Sequence, residues 1–203
     1  MIPVVADADV LFGATTRGLL IHLDYRGLIR LHWSPLILEE LSRALVDTGR
    51  KPDREAARRH EQLMRASLPH AGLPVALVQK QFQAVAPAMR SAKDMHVAAC
   101  AHAIVAGGYY AQAEVISLVT HNIRDFGIRK LAAMGIEVTP PDAFLLGLFR
   151  RDAHGVAAAF AALRATLRSA PAPDRLLERL SADGQVTTAT AIRAAGRQGI
   201  VQL

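Results

Sequence analysis

The sequence predicts an α/β fold built on a parallel sheet, with helices on both faces. Three observations carry this. Short apolar runs rich in β-branched residues alternate with longer segments of helical spacing, from residue 2 to about residue 150. Polar clusters stand directly after two of those runs: Asp7-Ala8-Asp9 after the first, and Thr120-His121-Asn122 after Val115 to Val119. Helical crossovers between parallel strands are right-handed, and that handedness distributes the helices over both faces.

Each element has its own reason. Ile2 to Ala6 is apolar throughout and reads as a buried strand. Val10 to Gly27 carries Leu11, Leu19, Leu20 and Leu23 at helical spacing, and Gly27 closes that helix. Leu28 to Trp33 alternates apolar residues with Arg30 and His32, as suits a strand near a sheet edge. Ser34-Pro35 is an N-cap followed by proline at the first helical position, so a helix starts there and runs to about Val46. A turn over Gly49 to Pro52 leads to an arginine-rich helix from Asp53 to Ala66, a loop over Pro69 to Pro74, and a short helix over Val75 to Val85. From Asp94, the residues Met95, Val97, Ala98, Ala101 and Val105 make a helix that ends at Gly107-Gly108. The strand Val115 to Val119 follows. After it come a short helix within Arg124 to Met134, a strand over Gly135 to Val138, and a helix from Pro140-Pro141-Asp142 through Phe149.

The pattern changes near Arg151. Val156 to Leu167, Leu176 to Leu180 and Thr187 to Ala195 read as helices, with Ala170-Pro171-Ala172-Pro173 as a linker. The expected division is an α/β domain over residues 1–150 and an all-helical extension over 151–203. Net charge is +6 and the pI near 10.1, which favours anionic partners, nucleic acid first and an anionic membrane surface second. Cys100 is the single cysteine, so no internal disulfide forms, and it reads as a small buried hydrophobe. The opening has no signal-peptide pattern and no run of about 20 apolar residues occurs. A cytoplasmic protein is expected.

The carboxyl ends of parallel strands share one edge, where ligands bind in open α/β sheets. Asp7 and Asp125 follow strands and Asp94 starts a helix, so the three can converge there. Glu40 lies on the helix after the second strand and can reach in from the side. Gathered carboxylates repel and raise one another's pKa. A hard cation such as Mg²⁺ or Mn²⁺ relieves that repulsion, since it prefers oxygen ligands, and can serve phosphate displacement. Each acid alone has a plainer reading: Asp94 as an N-cap, Asp7 and Asp125 as turn residues, Glu40 as a solvated charge. Asp24, Asp47, Asp53 and Glu55 read as surface charges, and His96 and His121 as packed or hydrogen-bonded histidines.

These stretches resemble a known family. Val4-Val5-Ala6-Asp7-Ala8-Asp9-Val10-Leu11 is similar to the first motif of PIN domains, with Asp9 where relatives often carry Asn. Ser34 to Leu41 resembles the second motif, with Glu40 as the acid and Glu39 as the alternative. Asp94-Met-His-Val-Ala-Ala resembles the third, with Ser91 where relatives often have a further Asp. Thr120-His-Asn122-Ile-Arg-Asp125-Phe resembles the fourth. The resemblance is closest to VapC-like ribonuclease toxins and covers residues 2 to about 150. It implies a three-layer α/β/α fold and RNA cleavage dependent on Mg²⁺ or Mn²⁺. It also implies a homodimer and an antitoxin encoded nearby. Asp7 and Asp94 would be the inner metal ligands, Asp125 and Glu40 would complete the pocket, and Thr120 and Asn122 would orient water or phosphate.

Arg50, Arg54, Arg58 and Arg59 form a candidate RNA-backbone surface, set against the plainer reading of a solvated helix face with i,i+4 pairs. The lack of aromatics there argues against base stacking. Two other functions fit less of the pattern. One is a phosphotransfer enzyme using Asp7-x-Asp9 with Lys93 or Lys130; the other is an RNA-binding PIN domain without catalysis.

Overall fold

The computed structural model describes residues 1–110, 112–113 and 115–203. It has the expected class: a four-stranded parallel sheet flanked by helices, in a three-layer α/β/α arrangement. The strands are β1 (Ile2–Ala6), β2 (Ile29–His32), β3 (Ile116–Val119) and β4 (Ile136–Thr139), in the order β2-β1-β3-β4. β1 and β3 lie inside the sheet and are buried along nearly their whole length. That explains why both read as continuous apolar runs rather than alternating ones. β4 alternates buried with exposed, as an edge strand does.

The chain divides into two compact units. One comprises Ile2–Phe12 and Arg30–Thr139 and holds the sheet from Arg30 onward. In it, α1 (Ala8–Phe12) packs on α3 (Pro35–Asp47), and α3 packs on α4 (Arg54–Ser67). Ser34 accepts from Ile37 N–H as the predicted cap, and Pro35 follows it. The expected helix over Val75 to Val85 is broken into α5 (Val75–Gln79) and α6 (Phe82–Val85), whose inward residues are Val78 and Val85. Both pieces rest on α7 (Met95–Ala106). α7 also packs across β1, β3 and β4; its run of buried alanines with Cys100 permits that close approach. Burial pushes the Cys100 thiol up to about 12, which leaves it unreactive. A 3₁₀ turn (Ile123–Asp125) and α8 (Ile128–Ala132) occupy the stretch where one short helix was expected.

The other compact unit joins Gly13–Ile29 to Pro140–Leu203, with Met1. It contains α2 (Ala14–Tyr25), α9 (Pro141–Arg151), α10 (Ala153–Thr166), α11 (Pro173–Ala182) and α12 (Val186–Arg197). Sequence spacing placed the division near residue 150; the compact units part at Pro140, and α2 goes with the C-terminal helices. The single helix expected over Val10 to Gly27 is two helices, α1 and α2, separated at Gly13. A Cβ at Gly13 would lie 2.8 Å from Asp183 Cγ, so glycine is needed for that approach.

Aspartates cap three helix starts in this unit. Asp183 accepts from the N–H groups of Thr15 and Thr16 at 2.8 and 2.9 Å, Asp152 from Gly155 N–H at 2.8 Å. Asp142 accepts from the N–H groups of Thr187 and Thr188 and from the Thr188 hydroxyl, at 2.9, 2.8 and 2.7 Å. These bonds satisfy donors that a helix start leaves unpaired. Of the acids expected at the surface, Asp24 is buried, while Asp53 is exposed and also caps α4 by accepting from Ala56 N–H at 2.7 Å.

Asp142 ties α9 to α12, so Asp142→Ala should cost about 1–2 kcal/mol, the upper part of the range for a lost cap. Its carboxyl is held below the ordinary 3.8: burial opposes ionisation, but the bonds from Thr188 and Thr187 outweigh it. A depressed acid stabilises above its unfolded pKa, and the contribution is lost as pH falls through the folded one. Urea unfolding of wild type and Asp142→Ala should therefore differ fully at neutral pH, and the ionic part of the gap should vanish in acid. Equal midpoints at neutral pH would remove the capping role.

Candidate active site

The register of β1 against β3 builds the site. Val4, Val5 and Ala6 lie opposite Ser117, Leu118 and Val119. The ladder runs one step further, because Asp7 N–H donates to Val119 O at 3.0 Å. Asp7 and Thr120, the next residues of the two strands, therefore emerge side by side at the carboxyl edge. The Thr120 hydroxyl donates to Asp7 Oδ2 at 2.7 Å, and Ala8 N–H donates to Asp7 Oδ1 at 2.6 Å. Thr120 Oγ1 in turn accepts from Asn122 N–H at 3.0 Å. Asp7 is 2% exposed and Thr120 fully buried.

Asp9 joins them from the first turn of α1. Its Oδ2 accepts from His121 N–H at 3.1 Å and lies 3.5 Å from Thr120 Oγ1. A hydroxyl has one proton, and Thr120 gives it to Asp7. Asp9 Oδ1 is buried with no hydrogen-bond partner among the described residues.

Asp94 stands at the N-cap position of α7 and is 1% exposed, yet its side chain makes no cap bond. It accepts instead from Asn122 Nδ2 at 3.4 Å and lies at hydrogen-bonding range from Asp125. Two backbone links hold Asp125: its N–H donates to Asn122 O at 3.0 Å, and its carbonyl accepts from Arg90 N–H at 2.8 Å. Gly127 N–H donates to Ala88 O at 2.7 Å, and a Cβ on Gly127 would sit 2.6 Å from that oxygen. Glycine is thus what lets the Asp125 turn close against residues 88–90.

Glu40 faces His96, with Oε2 3.1 Å from Nε2, while His96 Nδ1 lies 3.2 Å from Lys93 O. Glu39 is exposed and lines a groove between α3 and α4, so Glu40 is the acid on the site side. His96 is a hydrogen-bonded histidine, as expected. Lys130, one candidate for a phosphotransfer lysine, donates to Pro87 O at 2.7 Å instead.

The electrostatics follow from this crowding. Burial first, then the Asp9 and Asp94 charges, pushes Asp7 up to about 7, against the hydrogen bonds from Thr120 and Ala8. Burial raises Asp9 too, against His121. Asp94 is raised by burial and by its hydrogen bond with Asp125. The Glu40–His96 pair moves in the opposite sense. The bond to His96 lowers Glu40, and the Glu40 carboxylate raises His96 although burial opposes the imidazolium.

Asp7, Asp94, Asp125, Thr120 and Asn122 thus meet in one linked cluster, with Glu40 at its wall through His96. The resemblance put Asp9 at most at the rim of the site, and His96 was not among the predicted site residues. The Asp-x-Asp spacing was the available signal for Asp9; the Glu40–His96 contact had none. Among the described residues, no group of three or more His, Cys, Asp or Glu side chains is arranged as a ready-made metal site. The candidate RNA-contacting arginines are elsewhere. Arg50 stacks its guanidinium 3.9 Å from the Phe12 ring centre and donates to Phe12 O at 2.9 Å, Arg59 pairs with Glu55, and Arg54 and Arg58 line the α3–α4 groove beside Glu39, Asp47 and Glu61.

A family model described as the VapC50 C-terminal domain matches residues 141–194, the helices α9 to α12. The match relates that stretch to VapC toxins. No curated protein and no solved structure shows a match. No helix among the described residues is long and apolar enough to cross a membrane.

Asp7 gives a test of the crowding. Its folded pKa is about 7 against an ordinary 3.8, so the folded protein holds the proton more tightly. Ionising Asp7 costs stability that grows from about pH 4 and levels off above about pH 7. In a chelator, Asp7→Asn should therefore become the more stable protein as pH rises through that window. The shift should be about 2–4 °C in Tm for each kcal/mol relieved. Parallel melting series of the two proteins check this; a gap independent of pH would refute the raised carboxyl.

Proposed function

We propose that this protein is a divalent-metal-dependent endoribonuclease of the VapC toxin kind, with the acid cluster at the carboxyl ends of β1 and β3 as its active site. The observation that carries the reading is the cluster itself: Asp7, Asp9, Asp94 and Asp125 held in a partly buried pocket, with Asp7 pushed up to about 7. Evolved structures rarely bury several acids unpaired, because each raises the cost of the next. The residue match to the VapC50 C-terminal domain supports the same reading.

The donor set fits Mg²⁺ or Mn²⁺. All candidate ligands are hard oxygens, and Asp9 Oδ1 is a buried acceptor in need of a positive partner. Mg²⁺ is commonly held by one or two carboxylates plus waters and substrate phosphates, so pairs of acids suffice. Asp7 and Asp94 would hold the ion, with Asp9 and Asp125 beside them and Glu40 acting through water. When bound, the ion would offset charge at the phosphate and ease deprotonation of the attacking water.

The chain's own groups do the rest. Thr120 fixes the Asp7 carboxylate by its 2.7 Å bond, and Asn122 steadies Asp94 with its amide. In the hydrolysis, water oxygen bonds to phosphorus, the bond to the leaving nucleoside oxygen breaks, and that oxygen takes a proton. Burial lowers the His96 pKa, but the Glu40 carboxylate outweighs it and favours a positive charge at the wall. The proposal carries an antitoxin as a protein partner and a second copy of the chain as a dimer mate.

RNA cleavage should disappear in a chelator and return with Mg²⁺ or Mn²⁺. Asp7→Asn and Asp94→Asn should each lose at least about 10²-fold in rate, as expected when a charge-stabilising group is removed, while keeping or raising the Tm. Gel analysis of a labelled RNA, with a generic phosphate monoester assayed beside it, is the measurement. Undiminished cleavage in excess chelator, or turnover of the monoester alone, would refute the proposal.

A further inference from the structure

A second set of cations lies away from α4. Residues 87–90 and 127–130 enclose an open groove of about 600 Å³, lined by Arg90, Arg129 and Lys130 with no acid in the lining. The groove is tied to the site through backbone. Arg90 N–H donates to Asp125 O at 2.8 Å, Gly127 N–H donates to Ala88 O at 2.7 Å, and Met89 bridges to Phe126. Two more cations adjoin the acids in the chain, Lys93 before Asp94 and Arg124 before Asp125. All five are exposed. Within residues 86–93 and 126–134 there is no Asp or Glu.

The contrast with α4 is physical. There Arg59 pairs with Glu55 and Arg65 with Glu61 at 2.7 Å, and Arg54 and Arg58 share their groove with Glu39, Asp47 and Glu61. Arg90 and Arg129 on the 87–90/127–130 shelf, and Arg124 just before it in the chain, have no carboxylate partner among the described residues. Unmatched guanidinium groups hold a field that a polyanion can neutralise, with release of its counterions. Ile128 is 46% exposed and adds an apolar patch to the groove wall, with no aromatic ring to stack a base.

We infer that this shelf, formed by Arg90, Arg124 and Arg129 with Lys93 and Lys130, binds the phosphodiester backbone of single-stranded RNA and leads it into the acid cluster, an inference that rests on the proposed nuclease reading. Backbone binding of this kind is indifferent to sequence and sets register only.

The test is the salt dependence of binding to a fluorescently labelled single-stranded RNA, measured by anisotropy in a chelator so that no cleavage intervenes. The triple variant Arg90→Gln, Arg124→Gln, Arg129→Gln should weaken binding to several unrelated sequences alike. It should also reduce the salt slope by about 2, at roughly 0.7 for each phosphate no longer neutralised. These side chains make no hydrogen bond among the described residues, so the Tm should hold. The matching triple Arg→Lys variant should recover the slope, which a merely structural defect would not.

An unchanged slope in the Gln variant overturns the shelf, and so does a slope that falls only on replacing Arg54, Arg58 and Arg59. Cleavage in Mg²⁺, run beside it, separates the two proposals. A wild type that cleaves RNA while the Gln variant keeps its slope sinks the shelf and leaves the nuclease. A wild type that binds through the shelf yet never cleaves sinks the nuclease and leaves the shelf. A wild type that binds no RNA sinks both.

Discussion

The pairing register of β1 with β3 is the constraint on which the site depends. Ala6 opposite Val119 makes Asp7 and Thr120 neighbours on the carboxyl edge, within one 2.7 Å hydrogen bond. A slip of one residue would turn Asp7 toward the other face of the sheet, since side chains alternate along a strand. The apolar burial of Val4, Val5, Leu118 and Val119 enforces that register. Core packing and the geometry of the acid cluster are thus one requirement. The α7 alanines extend it, because close seating of that helix on β1 and β3 brings its first residues, and with them Asp94, to the same edge.

The site is assembled at an electrostatic cost. Burial raises Asp7, Asp9 and Asp94; the Asp9 and Asp94 charges raise Asp7 further, and Asp125 raises Asp94. Neutral groups limit the cost without cancelling it: the Thr120 hydroxyl, the Asn122 amide and the His121 N–H each satisfy one carboxylate oxygen. Glu40 is spared by its contact with His96. What is left is a cluster of buried acids raised above their ordinary range.

The helical unit uses acids differently. Asp142, Asp152 and Asp183 each meet the positive end of a helix, where a carboxylate is stabilised rather than strained. Asp183 and Asp142 do so across more than forty residues of chain, which makes them tertiary ties as well as caps. The stretch matched to the VapC50 C-terminal domain is the stretch that carries these ties.

The sequence by itself determined the fold class and most of the elements. Ile2 to Ala6, Ser34-Pro35, Gly27, Gly49 and Gly107 act locally, through β-branched runs, a cap, and backbone turns, so no distant residue is needed to read them. It also marked Asp7, Asp94, Thr120, Asn122 and Asp125 as a set, because parallel strands put their carboxyl ends on one edge. Only the tertiary structure decided what those side chains touch. Asp94 looks like an N-cap in sequence and leaves that role for Asn122 and Asp125. Glu40 turns to His96, far along the chain, and Asp24 is buried. α2 leaves the sheet-bearing unit for the C-terminal helices. These outcomes depend on distance in space between residues far apart in the chain, and spacing along a sequence carries no measure of that distance.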